Sequence, residues 1–210
     1  MFRTEFWLLS VKPDLIRQVE GKFMIEIRMH GRGGQGAVVA CKILASAFFK
    51  EGKFAQAFPA FGVERRGAPV MAFIRIDNKP INLRTEIYEP HHLVVLDPTL
   101  LQTINVTAGL AKGGMIVLNS AAPAETYPQL SDFSVATVDA NKIAVAHRLG
   151  TQSTPIVNTS ILGAFSKFTG LVGLDALVET IRNYVPIKPE ENAAATRDAY
   201  AQCEFSKSTV

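Results

Sequence analysis

Residues 24–29, Met-Ile-Glu-Ile-Arg-Met, alternate apolar and charged side chains, the period-two pattern of a strand with one buried face. A mostly apolar run at 37–49 follows and is long enough for a helix. Shorter runs at 54–58 and 70–76 read as second and third strands. Asp77-Asn78-Lys79-Pro80 makes a turn, after which 81–83 is expected to return as a hairpin. The runs 93–97 and 115–119 are almost continuously apolar, as in parallel strands covered on both faces. A shorter strand is expected at 133–138.

Helices take over towards the C-terminus. One opens at Asp139-Ala140-Asn141, runs to about Leu149 and stops at Gly150. Others are predicted at 158–168, ending at Gly170, and at 174–184, stopped by Pro186. The last, 189–203, is polar at most positions, with Pro189 near its start and Glu190-Glu191 suited to the helix dipole. Asp97 either caps a short helix at 99–103 or serves a site, since ligands bind at the carboxyl ends of such strands. The order of elements predicts an α/β fold: a doubly wound, mostly parallel, Rossmann-like sheet with a helical C-terminal third.

Residues 1–23 fall outside this pattern. Phe6-Trp7-Leu8-Leu9 is apolar but far too short for a membrane span, and a secretory cleavage site is lacking. These residues are either upstream of a true start at Met24 or an arm that packs on a neighbouring subunit. The expected organisation is an extension at 1–23, one domain at 24–203 and a tail at 204–210.

Composition narrows the function. With 210 residues, 48% hydrophobic and 20% charged, the chain suits one domain with a sizeable core. A net charge of +3 gives no reason to invoke nucleic acid or an anionic membrane. Only two cysteines occur, Cys41 in the apolar helix and Cys203. A disulfide framework is therefore unexpected and a cytoplasmic location is favoured. An iron–sulfur cluster normally takes four thiolates, so this chain does not hold one alone. The four histidines show no zinc spacing, and adjacent His91-His92 read as the solvated start of a strand.

The candidate chemistry sits between the first strand and the first helix. Gly31, Gly33 and Gly36 have the G-x-G-x-x-G spacing in a strand–turn–helix context. Such a turn brings backbone N–H groups and a helix N-terminus to an anion. It also serves simply for tight packing. A phosphate loop would carry Lys and Ser or Thr next, where Ala37 and Val38 stand. A nicotinamide site would place an acid roughly 20 residues on, yet 54–58 contains none and Glu51 lies at the helix end. A proline-bounded loop at 59–69 carries Arg65-Arg66 beside Glu64. Guanidinium forks match phosphates and carboxylates. Should strands one and two form a βαβ unit, this loop shares a sheet edge with the glycine turn. The alternative is a surface loop with a local Glu64–Arg pair.

Three stretches together resemble a known family. They are His30-Gly31-Arg32-Gly33-Gly34-Gln35-Gly36, then Phe58-Pro59-Ala60-Phe61-Gly62-Val63-Glu64-Arg65-Arg66-Gly67-Ala68-Pro69-Val70, then Asn158-Thr159-Ser160-Ile161-Leu162-Gly163-Ala164. Glu191-Asn192 at the start of the last helix is similar too. The resemblance is to the gamma subunit of pyruvate and related 2-oxoacid:ferredoxin oxidoreductases, pyruvate-type branch, and it covers about 25–203. It implies a non-cluster subunit in an enzyme that converts a 2-oxo acid to its acyl-CoA. Thiamine diphosphate, Mg2+ and iron–sulfur clusters would lie in partner alpha, beta and ferredoxin-like delta subunits. Electrons would pass to ferredoxin or a nicotinamide acceptor, in anaerobic metabolism. This chain would help form the coenzyme A side of the site. In that reading Gly31, Gly33, Gly34 and Gly36 shape the turn, and Arg32 and Gln35 offer side chains to ligand or partner. Arg65 and Arg66 clamp anionic groups, and Asn158 hydrogen-bonds across an interface. Two other functions compete: a stand-alone nucleotide-binding oxidoreductase, and a ligand-free scaffold subunit.

Overall fold

A computed structural model describes residues 24–60 and 65–206. The expected arm at 1–23 and the expected Glu64 pair lie outside the described residues. The elements are β1 (Ile25–Arg32), α1 (Ala37–Lys50), β2 (Phe54–Pro59), β3 (Pro69–Asp77), β4 (His92–Val95) and β5 (Met115–Asn119). They continue with β6 (Ser134–Val138), α2 (Ala140–Ala146), α3 (Ser160–Thr169), α4 (Leu174–Tyr184), α5 (Pro189–Gln202) and β7 (Glu204–Ser206). Most expected boundaries agree within two residues, since each follows from an apolar run and a visible stop.

The strands form one sheet in the order β2-β3-β1-β4-β5-β6-β7. β1, β4, β5 and β6 run parallel. β3 is antiparallel to both β1 and β2, and β7 is antiparallel to β6. The architecture is α/β as expected, with antiparallel strands at the outside. Three local expectations are corrected. β1 and β2 are not neighbours, because β3 inserts between them. Residues 81–83 form no strand; Pro80 removes an N–H just where a ladder would begin. Residues 204–206, expected in the tail, add an edge strand to β6.

Strand alternation sorts the core into two layers. Ile27, Met29, Ala72, Ile74, Val94, Val117 and Ala136 face one side, where residues of all five helices join them in one core. Leu93, Val95, Ile116, Leu118 and Val135 face the other, covered by Leu100, Val106 and Leu130 from the segments after β4 and β5. On this second side β1 presents Arg28 and His30, both buried. Arg28 donates to the His30 Nε2 at 3.0 Å and to the carbonyls of Val106 and Ala108 at 2.9 and 2.6 Å. A buried guanidinium is thus satisfied by neutral acceptors, and it pins the segment after β4 onto the sheet.

The chain therefore leaves β1 towards the helices and leaves β4 towards the opposite face. The gap between the ends of these two parallel strands is a topological switch point, where open sheets of this type hold ligands.

Candidate functional site

At that gap β1 runs on through Gly31 and Arg32 before the chain turns. Gly34 and Gly36 take left-handed conformations, with φ of 96° and 79°. Gly36 is the N-cap of α1, contributes no side-chain cap, and is followed by no acid in the first turn. The first intrahelical bond runs from the Ala40 N–H to the Gly36 carbonyl at 2.9 Å. The N–H groups of Ala37 to Val39 thus have no partner within the helix, and the positive end of the dipole is left uncompensated.

The Arg loop is joined directly to this turn. Gly33 donates its N–H to the Ala68 carbonyl at 2.9 Å, and Gly67 donates to the Gly33 carbonyl at 3.0 Å. A Cβ at Gly33 would lie 2.2 Å from the Arg65 carbonyl oxygen, so only glycine permits the approach. Residues 65–68 form a turn closed by the Ala68 N–H on the Arg65 carbonyl at 3.1 Å, with Gly67 at φ 79° in its third position. Arg65 and Arg66 at its tip are exposed, and no described residue supplies either with an acid. The expectation that the glycine turn and Arg loop share a sheet edge holds, although β2 and β3 form a hairpin where a simple βαβ unit was supposed.

Arg32 and Gln35 are already engaged. Arg32 donates to the Asp97 carboxylate at 2.8 Å, to Thr99 Oγ1 at 2.7 Å and to the Gly67 carbonyl at 3.1 Å. Gln35 accepts from the Arg32 N–H at 2.7 Å and reaches Asp97 at 3.4 Å. Arg32 thus clamps the three segments together, with 27% of its side chain left exposed. Asp97 also caps its short 3-10 helix, accepting from the Thr99 N–H at 2.9 Å. Partial burial pushes its carboxyl up, but the hydrogen bonds from Thr99 and the Arg32 guanidinium outweigh that and hold it below the ordinary aspartate value. The capping role expected for Asp97 is therefore present, and the same carboxylate is tied to the glycine turn through Arg32.

Asn158 lies against the start of α1. A Cβ on Gly36 would come within 2.5 Å of its amide nitrogen. The residue is only 9% exposed, and its Oδ1 has no hydrogen-bond partner among the described residues. Buried amide oxygens are normally satisfied, so this acceptor is notable beside a row of free N–H groups. Beyond Asp97 a crevice of about 620 Å³ opens along the ends of β4 and β5, bordered by Pro98, Asn119, Ser120, Asn141 and Lys142. Asn119 is fully engaged with the Leu96 carbonyl and the Ala140 N–H.

Two groups read from sequence belong elsewhere. His91 and His92 do stand at the start of β4, but half-buried rather than solvated: His91 Nδ1 accepts from the Glu26 N–H at 3.0 Å, and burial, then the His91 charge, push His92 down to about 4. Cys41 is fully buried, and burial raises its thiol far above the thiolate range; the same cause lifts Cys203 to about 11. Neither thiol suits metal ligation. Among the described residues no group of three or more His, Cys, Asp or Glu is placed to hold a metal, and no helix is long and apolar enough to cross a membrane.

The site thus defines a class: a Rossmann-like domain that offers an anion a glycine turn, a free helix start and exposed guanidinium groups, without thiolates for electron transfer. Comparison with known proteins narrows this. Residues 26–202 match the family of pyruvate ferredoxin/flavodoxin oxidoreductases, and the chain belongs to that family as a gamma-type subunit of a multi-subunit oxidoreductase. It is 54% identical over 181 residues to the pyruvate/ketoisovalerate oxidoreductases common subunit gamma of Thermococcus kodakarensis, covering 84% of this chain and 96% of that one. Pyruvate synthase subunit PorC of Methanothermobacter thermautotrophicus is 52% identical over 182 residues, with 86% and 97% covered. The crystal structure of pyruvate oxidoreductase subunit PORC from Thermotoga maritima superposes with a TM-score of 0.75 at 34% identity, over 89% of this chain and all of that one. A stand-alone oxidoreductase is set aside.

Proposed function

We propose that this subunit receives the phosphate-bearing end of coenzyme A for a complex that oxidatively decarboxylates a 2-oxo acid, pyruvate foremost. The observation that carries the reading is the backbone junction of Gly33 with Ala68 and Gly67. It sets two exposed guanidinium groups, unpaired among the described residues, beside an uncapped helix start. Coenzyme A combines a pyrophosphate with a further phosphate on its ribose, so several separate positive sources suit it better than one. The orphaned Asn158 Oδ1 adds a neutral acceptor to that array.

In this reading alpha, beta and ferredoxin-like delta partners supply what the chain lacks. Thiamine diphosphate with Mg2+ activates the 2-oxo acid, and iron–sulfur clusters carry electrons to ferredoxin or a nicotinamide acceptor. Two cysteines, both buried, are too few for an iron–sulfur cluster, which supports placing the clusters in the partners. Relatives named as a common gamma subunit for pyruvate and ketoisovalerate oxidoreductases support placing the choice of 2-oxo acid in the partner chains. Two free buried thiols fit a reducing cytoplasm.

Replacing Arg65 and Arg66 by Ala in the assembled complex is expected to raise the KM for coenzyme A and leave the thiamine diphosphate content unchanged. Unaltered coenzyme A dependence would refute the clamp. One observation favours a second reading, a scaffold without ligand: Arg32 and Gln35 are satisfied within the chain. There Arg65 and Arg66 would meet carboxylates of a partner, and the same double substitution would weaken assembly rather than coenzyme A use.

A further inference from the structure

Three consecutive polar residues, Asn158, Thr159 and Ser160, are buried at the start of α3. Thr159 is the N-cap of that helix, yet its side chain makes no capping bond. A threonine in this place ordinarily accepts from its own helix. Here its hydroxyl donates instead to Asn192 Oδ1 on α5 at 2.7 Å. Its carbonyl accepts from Thr196 Oγ1, also on α5, at 3.1 Å. Asn192 is held in turn, donating to the carbonyls of Lys188 at 2.8 Å and Ile187 at 3.2 Å. Thr159, Asn192 and Thr196 are 1%, 5% and 0% exposed.

Backbone packing explains how two helices come within hydrogen-bond reach. A Cβ at Gly163 would fall 1.9 Å from the Thr196 carbonyl oxygen, so α3 and α5 touch main chain to main chain there. Thr159 and Asn192 stand one turn earlier on each helix, on the same side of the contact. Neither hydroxyl nor amide faces solvent. The residue before Thr159 is Asn158, whose Oδ1 is a buried acceptor with no partner among the described residues.

We propose that Asn192 and Thr196 are positioning residues. By fixing both the hydroxyl and the carbonyl of Thr159, they hold the Asn158 amide against Gly36 at the mouth of α1 and so tune coenzyme A binding. This rests on the reading that coenzyme A occupies that mouth. The structural logic is that Asn158 lies in a connection ahead of α3, where backbone freedom would otherwise let its amide swing away from the helix start.

The test uses the assembled complex and the KM for coenzyme A, with the KM for the 2-oxo acid as reference. Thr159→Val keeps shape and removes the donor. It is expected to raise the coenzyme A KM roughly fivefold, the factor that one hydrogen bond of ordinary net strength carries. The KM for the 2-oxo acid should not move, and Thr159→Ser should behave as the parent. Asn158→Ala should raise the coenzyme A KM at least as much, and the double variant no further than Asn158→Ala alone, because Thr159 acts through Asn158. Effects that multiply in the double variant overturn the proposal. A response to Asn158→Ala with none to Thr159→Val overturns the positioning role and leaves the binding reading standing. No response to Asn158→Ala overturns both. Should Thr159→Val fail to assemble, Thr196→Val makes the same comparison by removing the bond to the Thr159 carbonyl.

Discussion

Gly36 and Gly52 offer a controlled measurement of what packs against the start of α1. Both adopt left-handed backbone, with φ of 79° and 81°. Alanine at either position must adopt that conformation, at a cost of about 1–2 kcal/mol. At Gly52 nothing lies within 4 Å of the added methyl, so the backbone term is the whole effect. At Gly36 the methyl would meet Asn158 at 2.5 Å from Nδ2, 3.2 Å from Cγ and 3.3 Å from Cβ. That amide is buried, and overpacking of this kind adds about 1–3 kcal/mol. Gly36→Ala should therefore cost about 2–5 kcal/mol and Gly52→Ala about 1–2 kcal/mol. For a chain of this size each kcal/mol lowers Tm by about 2–4 °C, so the two variants should differ by about 2–12 °C. Melting of the purified chain reads both. Adding Asn158→Ala to Gly36→Ala should close most of the gap, since it removes the atoms that collide. Equal losses at the two glycines, or no recovery in the double variant, would refute the placement of Asn158.

Three further outcomes follow from contacts elsewhere. Gly163→Ala should lower Tm by more than Gly52→Ala does, because its methyl collides with the Thr196 carbonyl, which is main chain and lies 1.9 Å away; a variant as stable as the parent contradicts the close crossing of α3 and α5. Burial and then the Arg28 charge push His30 down to about 3, below its ordinary 6.5, so the unfolded chain takes up protons that the native chain refuses. Stability should accordingly fall as pH drops from about 6.5 towards 4, and His30→Gln should flatten that limb in denaturant titrations; parallel curves contradict it. Asp97→Asn should cost about 1 kcal/mol at pH 7, from the partly exposed ion pair with Arg32. Because the Asp97 carboxyl is lowered in the native chain, that difference is fully present above the ordinary aspartate value of 3.8 and vanishes as pH falls through the lowered value. A difference that persists in acid would point to lost packing.

Much of this architecture is legible in the chain because long apolar runs with clear stops leave few options. β4 and β5 announce themselves by continuous apolarity, and α1 by its length and the glycine turn ahead of it. The insertion of β3 between β1 and β2 is not legible, since the mostly apolar run at 70–76 states that a strand forms but not which neighbour it takes. β7 is too short to carry a period. The glycine turn and Arg loop could be paired from sequence only by assuming a topology; the actual junction is made by main-chain groups of Gly33, Gly67 and Ala68, which have no side-chain signature. Arg32 looked free for a ligand because its acid, Asp97, is 65 residues away. The mostly polar pattern of α5 points to a surface helix, whereas Asn192 and Thr196 turn those polar groups inward to Thr159.

The central claim is that this chain recognises coenzyme A through its phosphates. Titrating the assembled complex with coenzyme A and with pantetheine, which carries the thiol arm but no phosphate, tests it most directly. With Arg65 and Arg66 replaced by Ala, the Kd for coenzyme A should rise by roughly tenfold or more, as expected for loss of charge-assisted contacts, and the Kd for pantetheine should stay at the parent value. An unchanged coenzyme A Kd, or an equal loss for both ligands, would contradict it.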